Sequence, residues 1–120
     1  VNITGGSGND TIKGGSANDK LVGNAGNDLI EGGKGNDVME GGAGIDTVSY
    51  LSANGSVEVN LTTGQASGAA GTDLLTAFEN INGSAFKDTL IGTTGFNVIH
   101  GGGGLDIIDG RGGGDAIFPV

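Results

Sequence analysis

The sequence predicts an all-β protein, a right-handed parallel β-roll (a β-helix of two strands per coil), and three observations predict it. Glycine supplies 28 of 120 residues, several times its usual share of ~7%. A nine-residue unit, G-G-x-G-x-D-x-U-x with U aliphatic, recurs along the chain. Two registers hold within that unit. Eight of the ten aspartates fall at its sixth position, and its eighth position is aliphatic or Met in all nine units. A random glycine-rich tract keeps neither.

The first block holds five units, residues 5–13, 14–22, 23–31, 32–40 and 41–49, and the second holds four, 83–91, 92–100, 101–109 and 110–118. Six residues rich in Gly, Asn and Asp make a turn, because these tolerate left-handed backbone angles. The three that follow, polar-apolar-polar, make a short strand whose middle side chain points inward. Two units, eighteen residues, then complete one coil, and coils stack with parallel strands about 4.8 Å apart. The inward set is Ile3, Ile12, Leu21, Ile30, Met39 and Val48, followed by Leu90, Ile99, Ile108 and Ile117. Asp10, Asp28 and Asp46 line one edge, and Asp19 and Asp37 line the other. In the second block Asp88 stacks on Asp106, and Asn97 on Asp115.

The chain reads as one module, with blocks at 1–49 and 83–118 and a degenerate insert at 50–82. Val57-Glu58-Val59-Asn60-Leu61 alternates like a strand, Thr63-Gly64 signals a turn, and residues 65–71 read as a small polar loop. Residues 73–78 have two readings. One is a helical turn capped by Asp73. The other, which the register favours, is the coil resumed: Glu79 and Ile81 lie nine residues before Asp88 and Leu90. Val1-Asn2-Ile3-Thr4 reads as the tail of a unit, so the chain is expected to be a piece of a longer protein.

Composition bounds the partners. Fourteen acidic residues against five basic give a net charge of −9, which disfavours nucleic acid and an anionic membrane surface. No apolar run approaches the ~18 residues of a membrane span. Cations are the natural complement. Stacked carboxylates repel by roughly 3 kcal/mol per pair at an effective dielectric near 20, and a cation between them reverses the sign. The donors on offer are carboxylates and backbone carbonyls in flexible turns. That set suits Ca²⁺, which takes 6–8 oxygens in loose geometry, better than Mg²⁺. Zinc or copper would want His or Cys, and the chain has one His and no Cys.

The repeat resembles the nonapeptide of RTX (repeats-in-toxin) proteins. The insert, through Asp46-Thr47-Val48-Ser49-Tyr50 and Phe78-Glu79-Asn80-Ile81-Asn82-Gly83-Ser84, resembles the degenerate stretch of serralysin-like and haemolysin-type chains. The resemblance implies several calcium ions, each between stacked turns. The lower turn would give carbonyls at positions two and four, the upper at one and three. A first site then uses Gly6, Gly8, Asp10, Gly23, Ala25 and Asp28; a second uses Gly15, Ala17, Asp19, Gly32, Lys34 and Asp37. A third uses Asn24, Gly26, Asp28, Gly41, Ala43 and Asp46, and a fourth Ser84, Phe86, Asp88, Gly101, Gly103 and Asp106. Asp28 would bridge two ions. Asn97 removes a charge from the pair with Asp115 and makes that site the weakest. Ala17 strains the second site if its position needs a positive φ. Ser84, Phe86 and Thr93-Thr94 forecast a loose first turn in the second block. Asp73 and Glu79 are candidates for an extra ion at the junction.

No H-E-x-x-H, no G-x-S-x-G and no second His is present, so the chain itself is not expected to be an enzyme. His100 sits at an outward ninth position and reads as a solvated residue. The functional expectation is a non-catalytic module of a secreted bacterial protein. It stays disordered without calcium, passes through type I secretion, and folds outside the cell, where metal binding acts as folding free energy. Two alternatives stand beside it: an adhesin piece, and a polysaccharide-contacting accessory to a neighbouring metalloprotease, lipase or epimerase. Exposed strand edges would also allow end-to-end self-association.

Overall fold

The computed structural model describes residues 2–118, so Val1 of the opening tail lies outside it, with Pro119 and Val120. The first block forms β1 (Asn2–Thr4), β2 (Thr11–Gly15), β3 (Lys20–Val22), β4 (Leu29–Gly33), β5 (Val38–Glu40) and β6 (Thr47–Ser49). The insert adds β7 (Val57–Asn60), β8 (Gln65–Gly68) and β9 (Asp73–Thr76), and the coil resumes with β10 (Asn80–Asn82). The second block forms β11 (Thr89–Ile91), β12 (Val98–His100), β13 (Ile107–Asp109) and β14 (Ala116–Phe118). These strands make a parallel β-roll of two sheets. One is ordered β1-β3-β5-β9-β8-β7-β11-β13, the other β14-β12-β10-β6-β4-β2.

Within each block the strands pair in parallel, eighteen residues apart: Leu21 opposite Met39, Ile12 opposite Ile30, Leu90 opposite Ile108. Leu21, Ile30, Met39, Val48, Ile81, Leu90 and Ile99 are fully buried between the sheets. Each contributes about 1.5–3 kcal/mol by leaving water. Ile117 departs from the inward set and is 41% exposed, because β14 is the end strand of its sheet and has a neighbour on one side only.

The insert enlarges one sheet and spares the other. In the larger sheet β8 runs antiparallel between β7 and β9. In the smaller sheet β10 joins β6 directly to β12. The six-residue turn of the repeat shrinks at this point to residues 77–79, between β9 and β10. Residues 73–76 are a strand, not a helical turn, and Ile81 is in the core register. The expected polar loop at 65–71 is half strand. Gln65, Ala66, Ser67 and Gly68 have little intrinsic strand preference, but β7 pairs with all four and β9 with Gln65 and Ala66.

Candidate metal centre

The sixth-position carboxylates form two ladders, one on each edge of the roll. On the first, the Asp10 amide donates to Asp28 Oδ1 at 2.8 Å, and the Asp28 amide donates to Asp46 Oδ1 at 2.8 Å. The Asp46 amide then donates to Glu79 Oε1 at 2.8 Å. Further along, the Asn97 amide donates to Asp115 Oδ1 at 2.7 Å. On the second edge the Asp19 amide donates to Asp37 Oδ1 at 2.9 Å and the Asp37 amide to Asp73 Oδ1 at 2.8 Å. Beyond the inserted strands, the amides of Val57 and Asp88 donate to Oδ1 of Asp88 and Asp106. Like charges are thus held one coil apart by backbone geometry. An uncompensated arrangement of this kind is unfavourable.

The other carboxylate oxygen is the informative one. Oδ2 of Asp28, Asp37, Asp46 and Asp106 is buried and receives no hydrogen bond. Buried polar atoms without a partner are rare, and each costs about 1–3 kcal/mol, more when charged. First-position glycines make room for Oδ2 along both ladders, whether or not the oxygen has a donor. A β-carbon on Gly5 would lie 2.5 Å from Asp10 Oδ2 and 2.9 Å from the Gly23 carbonyl oxygen. One on Gly14 would lie 2.5 Å from Asp19 Oδ2 and 2.7 Å from the Gly32 carbonyl. A carboxylate oxygen and a carbonyl of the next coil therefore converge beside each of these glycines. Both are hard donors, and the fit is to a hard divalent cation. Among the described residues no point gathers three or more His, Cys, Asp or Glu. Any ion held here rests on two carboxylates, with peptide oxygens supplying the rest.

The remaining carbonyls rise from positions two and four. The Asn24 and Gly26 carbonyls abut Gly42 and Gly44 of the coil above, where a side chain would collide. Gly42 and Gly44 also have φ of 90° and 101°, angles that L-residues resist. Asn24 adopts φ 66° at the same repeat position, and Asn tolerates that region better than most residues.

The family model for the RTX calcium-binding nonapeptide repeat (4 copies) matches residues 2–25, 14–48 and 82–117, well over half of the chain. The chain belongs to this family. No curated protein matches it at a significant level. The RTX repeats make it a calcium-binding repeat module, and the family's repeat is a structural element, not a catalytic one.

Several RTX positions behave differently from their sequence forecast. Ala17 has no positive φ, so the expected strain at that turn does not arise. Ser84 is fully buried and makes the first turn of the second block tight. Its amide donates to Asp88 Oδ2 at 2.8 Å and its hydroxyl to Asp88 Oδ1 at 2.6 Å. Asn97 turns its Nδ2 toward the preceding coil and donates to the Glu79 carbonyl at 2.6 Å. Asp73 and Glu79 do not share a site: Asp73 continues the Asp19–Asp37 edge and Glu79 the Asp10–Asp46 edge.

Sequence reasoning missed two supports. Fifth-position asparagines form their own ladder outside the aspartates. Asn9 Oδ1 accepts from the Asn27 amide at 2.7 Å, and Asn18 Oδ1 accepts from the Asn36 amide at 2.7 Å. The signal was present, since four successive units carry Asn at that position. Tyr50 carried no such signal; its buried hydroxyl donates to Asp73 Oδ2 at 2.8 Å.

Electrostatics reflect the crowding. Burial, reinforced by Asp73 and Asp19, pushes Asp37 up to about 6. Burial, with Asp28 and Glu79 adding to it, does the same to Asp46, also to about 6. Burial raises Asp73 and Asp106 as well.

Proposed function

We propose that this chain is a calcium-triggered folding module of a larger secreted bacterial protein. It is extended where calcium is scarce and becomes a rigid roll once outside the cell. One observation carries the reading: Oδ2 of Asp28 and of Asp46, each buried beside a carbonyl of the next coil, receives no hydrogen bond from the described residues. In this reading four ions lie between Asp10 and Asp28, Asp19 and Asp37, Asp28 and Asp46, and Asp88 and Asp106. The first takes the Gly6, Gly8, Gly23 and Ala25 carbonyls, and the others follow in register.

Without the ions, a glycine-rich backbone loses more entropy on ordering than other chains do. The net charge of −9 adds self-repulsion. Metal binding then appears directly as folding free energy. The test is circular dichroism during calcium titration from EDTA. β signal that develops as calcium rises toward millimolar supports the module, and full β signal in EDTA overturns it.

A polysaccharide-contacting role is a second reading. It is favoured by a shallow groove on the outer face of the smaller sheet, where Asn80, Asn82 and His100 lie together. The His100 ring stacks on Phe118 at 4.7 Å, and amides beside aromatic faces suit sugar hydroxyls and ring faces. Titration of alginate into the calcium-loaded protein measures it; no heat and no shift at millimolar glycan removes it.

A further inference from the structure

We propose a calcium position at the junction of the two blocks, between Asp46 and Glu79, with the Ala77 carbonyl as a third oxygen group. It rests on the reading of the aspartate ladders as calcium sites and extends it to residues the repeat pattern does not cover. Glu79 and Ala77 lie between the matched stretches 14–48 and 82–117.

Three observations converge on it. Asp46 is wholly buried, and its Oδ2 receives no hydrogen bond. Beside Gly41, where a β-carbon would sit, Asp46 Oδ2 lies 2.7 Å away and the Ala77 carbonyl oxygen closer still. That pairing repeats what Asp10 Oδ2 and the Gly23 carbonyl do beside Gly5. Glu79 Oε1 accepts the Asp46 amide at 2.8 Å, just as Asp28 Oδ1 accepts the Asp10 amide at 2.8 Å.

The chain reaches this arrangement by a different route. The turn above Asp46 is three residues instead of six, so an aspartate in register with the ladder is missing. A glutamate, one methylene longer, spans the gap from the shortened turn. Ala77 takes φ 60° in that turn, a left-handed angle that costs an L-residue about 1–2 kcal/mol, and its carbonyl meets Asp46. Glu79 adds a second carboxylate to an ion that shares Asp46 with the ion below it. With the carbonyls of Gly42 and Gly44 at positions two and four, the oxygen groups number five, and water completes the 6–8 that calcium takes.

Neighbouring positions lack this set. Above Asp37, the atom beside Gly32 after the carboxylate is Met39 Sδ at 3.1 Å, not a carbonyl oxygen. A soft thioether is a poor calcium donor. One coil beyond Glu79, Asn97 Nδ2 already donates to the Glu79 carbonyl. The ions on this edge therefore end at Glu79.

Native mass spectrometry of the calcium-saturated protein counts the ions. Glu79→Gln keeps an acceptor for the Asp46 amide and removes the charge; it is expected to hold one ion fewer than the parent. An unchanged count overturns the proposal. A parent protein that holds no calcium at all overturns the ladder reading instead. If Glu79→Gln does not fold, terbium soaked into crystals of the parent chain decides. An anomalous peak between Asp46 and Glu79 supports the site, and peaks confined to the aspartate pairs exclude it.

Discussion

The hydroxyl of Tyr50 donates a 2.8 Å hydrogen bond to Oδ2 of Asp73, the last carboxylate of the Asp19–Asp37 ladder before the inserted strands. Asp73 Oδ1 takes the Asp37 amide and Oδ2 takes the phenol, so both oxygens are satisfied without a cation above them. Tyr50 and Asp73 are both buried, and burial with the adjacent carboxylate raises the phenol far above its ordinary range. The phenol therefore stays protonated and stays a donor. It is a neutral stopper at the end of a row of charges.

Replacing that stopper leaves Asp73 Oδ2 buried without a donor. Tyr50→Phe is expected to lower stability in saturating calcium by about 1–3 kcal/mol, with the ion count unchanged. Urea unfolding followed by circular dichroism, alongside native mass spectrometry, checks both halves. A loss of ions would mean the phenol organises a site instead of closing one.

The glycines differ sharply in what a methyl group would meet. On Gly23 it would strike Asp28 Oδ2 and lie 2.7 Å from the Gly41 carbonyl, whereas on Gly8 it would meet nothing within 4 Å. Gly23→Ala is expected to raise the calcium concentration for half-folding at least tenfold. Gly8→Ala, at a position with no positive φ, should shift it less than twofold. Parallel calcium titrations compare them.

Asp28 faces two coils, accepting from the Asp10 amide and donating its own amide to Asp46. Asp106, which immediately precedes β13, the end strand of its sheet, receives from the Asp88 amide. Asp28→Asn is expected to remove two ions at saturation and Asp106→Asn one. Equal losses from the two variants would contradict a bridging Asp28.

Acid should act in opposite directions with and without calcium. Asp37 and Asp46 stand near 6 in the folded chain against 3.8 in an ordinary carboxyl. A raised carboxyl favours the folded form most strongly below 3.8, and that advantage is lost as pH rises through about 6. Metal-free protein should therefore gain β signal as pH falls from 7.5 toward 5. Calcium binding should weaken over the same interval, because protons compete for the same oxygens. Calcium titrations at both pH values, with matched spectra in EDTA, measure the two slopes. Slopes of the same sign would count against carboxylates as the shared ligands.

The repeats were legible because each carries its instruction locally. Asp10, Asp28 and Asp46 stand eighteen apart, and Ile81 keeps the ninefold register with Leu90 and Ile99 across the end of the insert. Asp73 and Glu79 were harder to place for a geometric reason. Their ladder partners Asp37 and Asp46 lie 36 and 33 residues away. The second interval is not a multiple of nine, because the turn before Glu79 has lost three residues. The Tyr50–Asp73 bond, whose partners are 23 residues apart, follows no period at all. β8 was hidden because its residues become a strand through their neighbours, not by their own preference.

The doubled step at the inserted strands bears on how such rolls diversify. Closing a loop of thirty-six residues instead of eighteen costs only about 0.6 kcal/mol more in chain entropy, less than a single buried aliphatic side chain returns. The smaller sheet passes straight from β6 to β10 to β12 while the larger sheet absorbs β7 and β8. One wall thus keeps the coils in line, and the opposite wall can take up added chain at little expense. An evolving lineage has at this position a place to try new surface without dismantling what lies on either side.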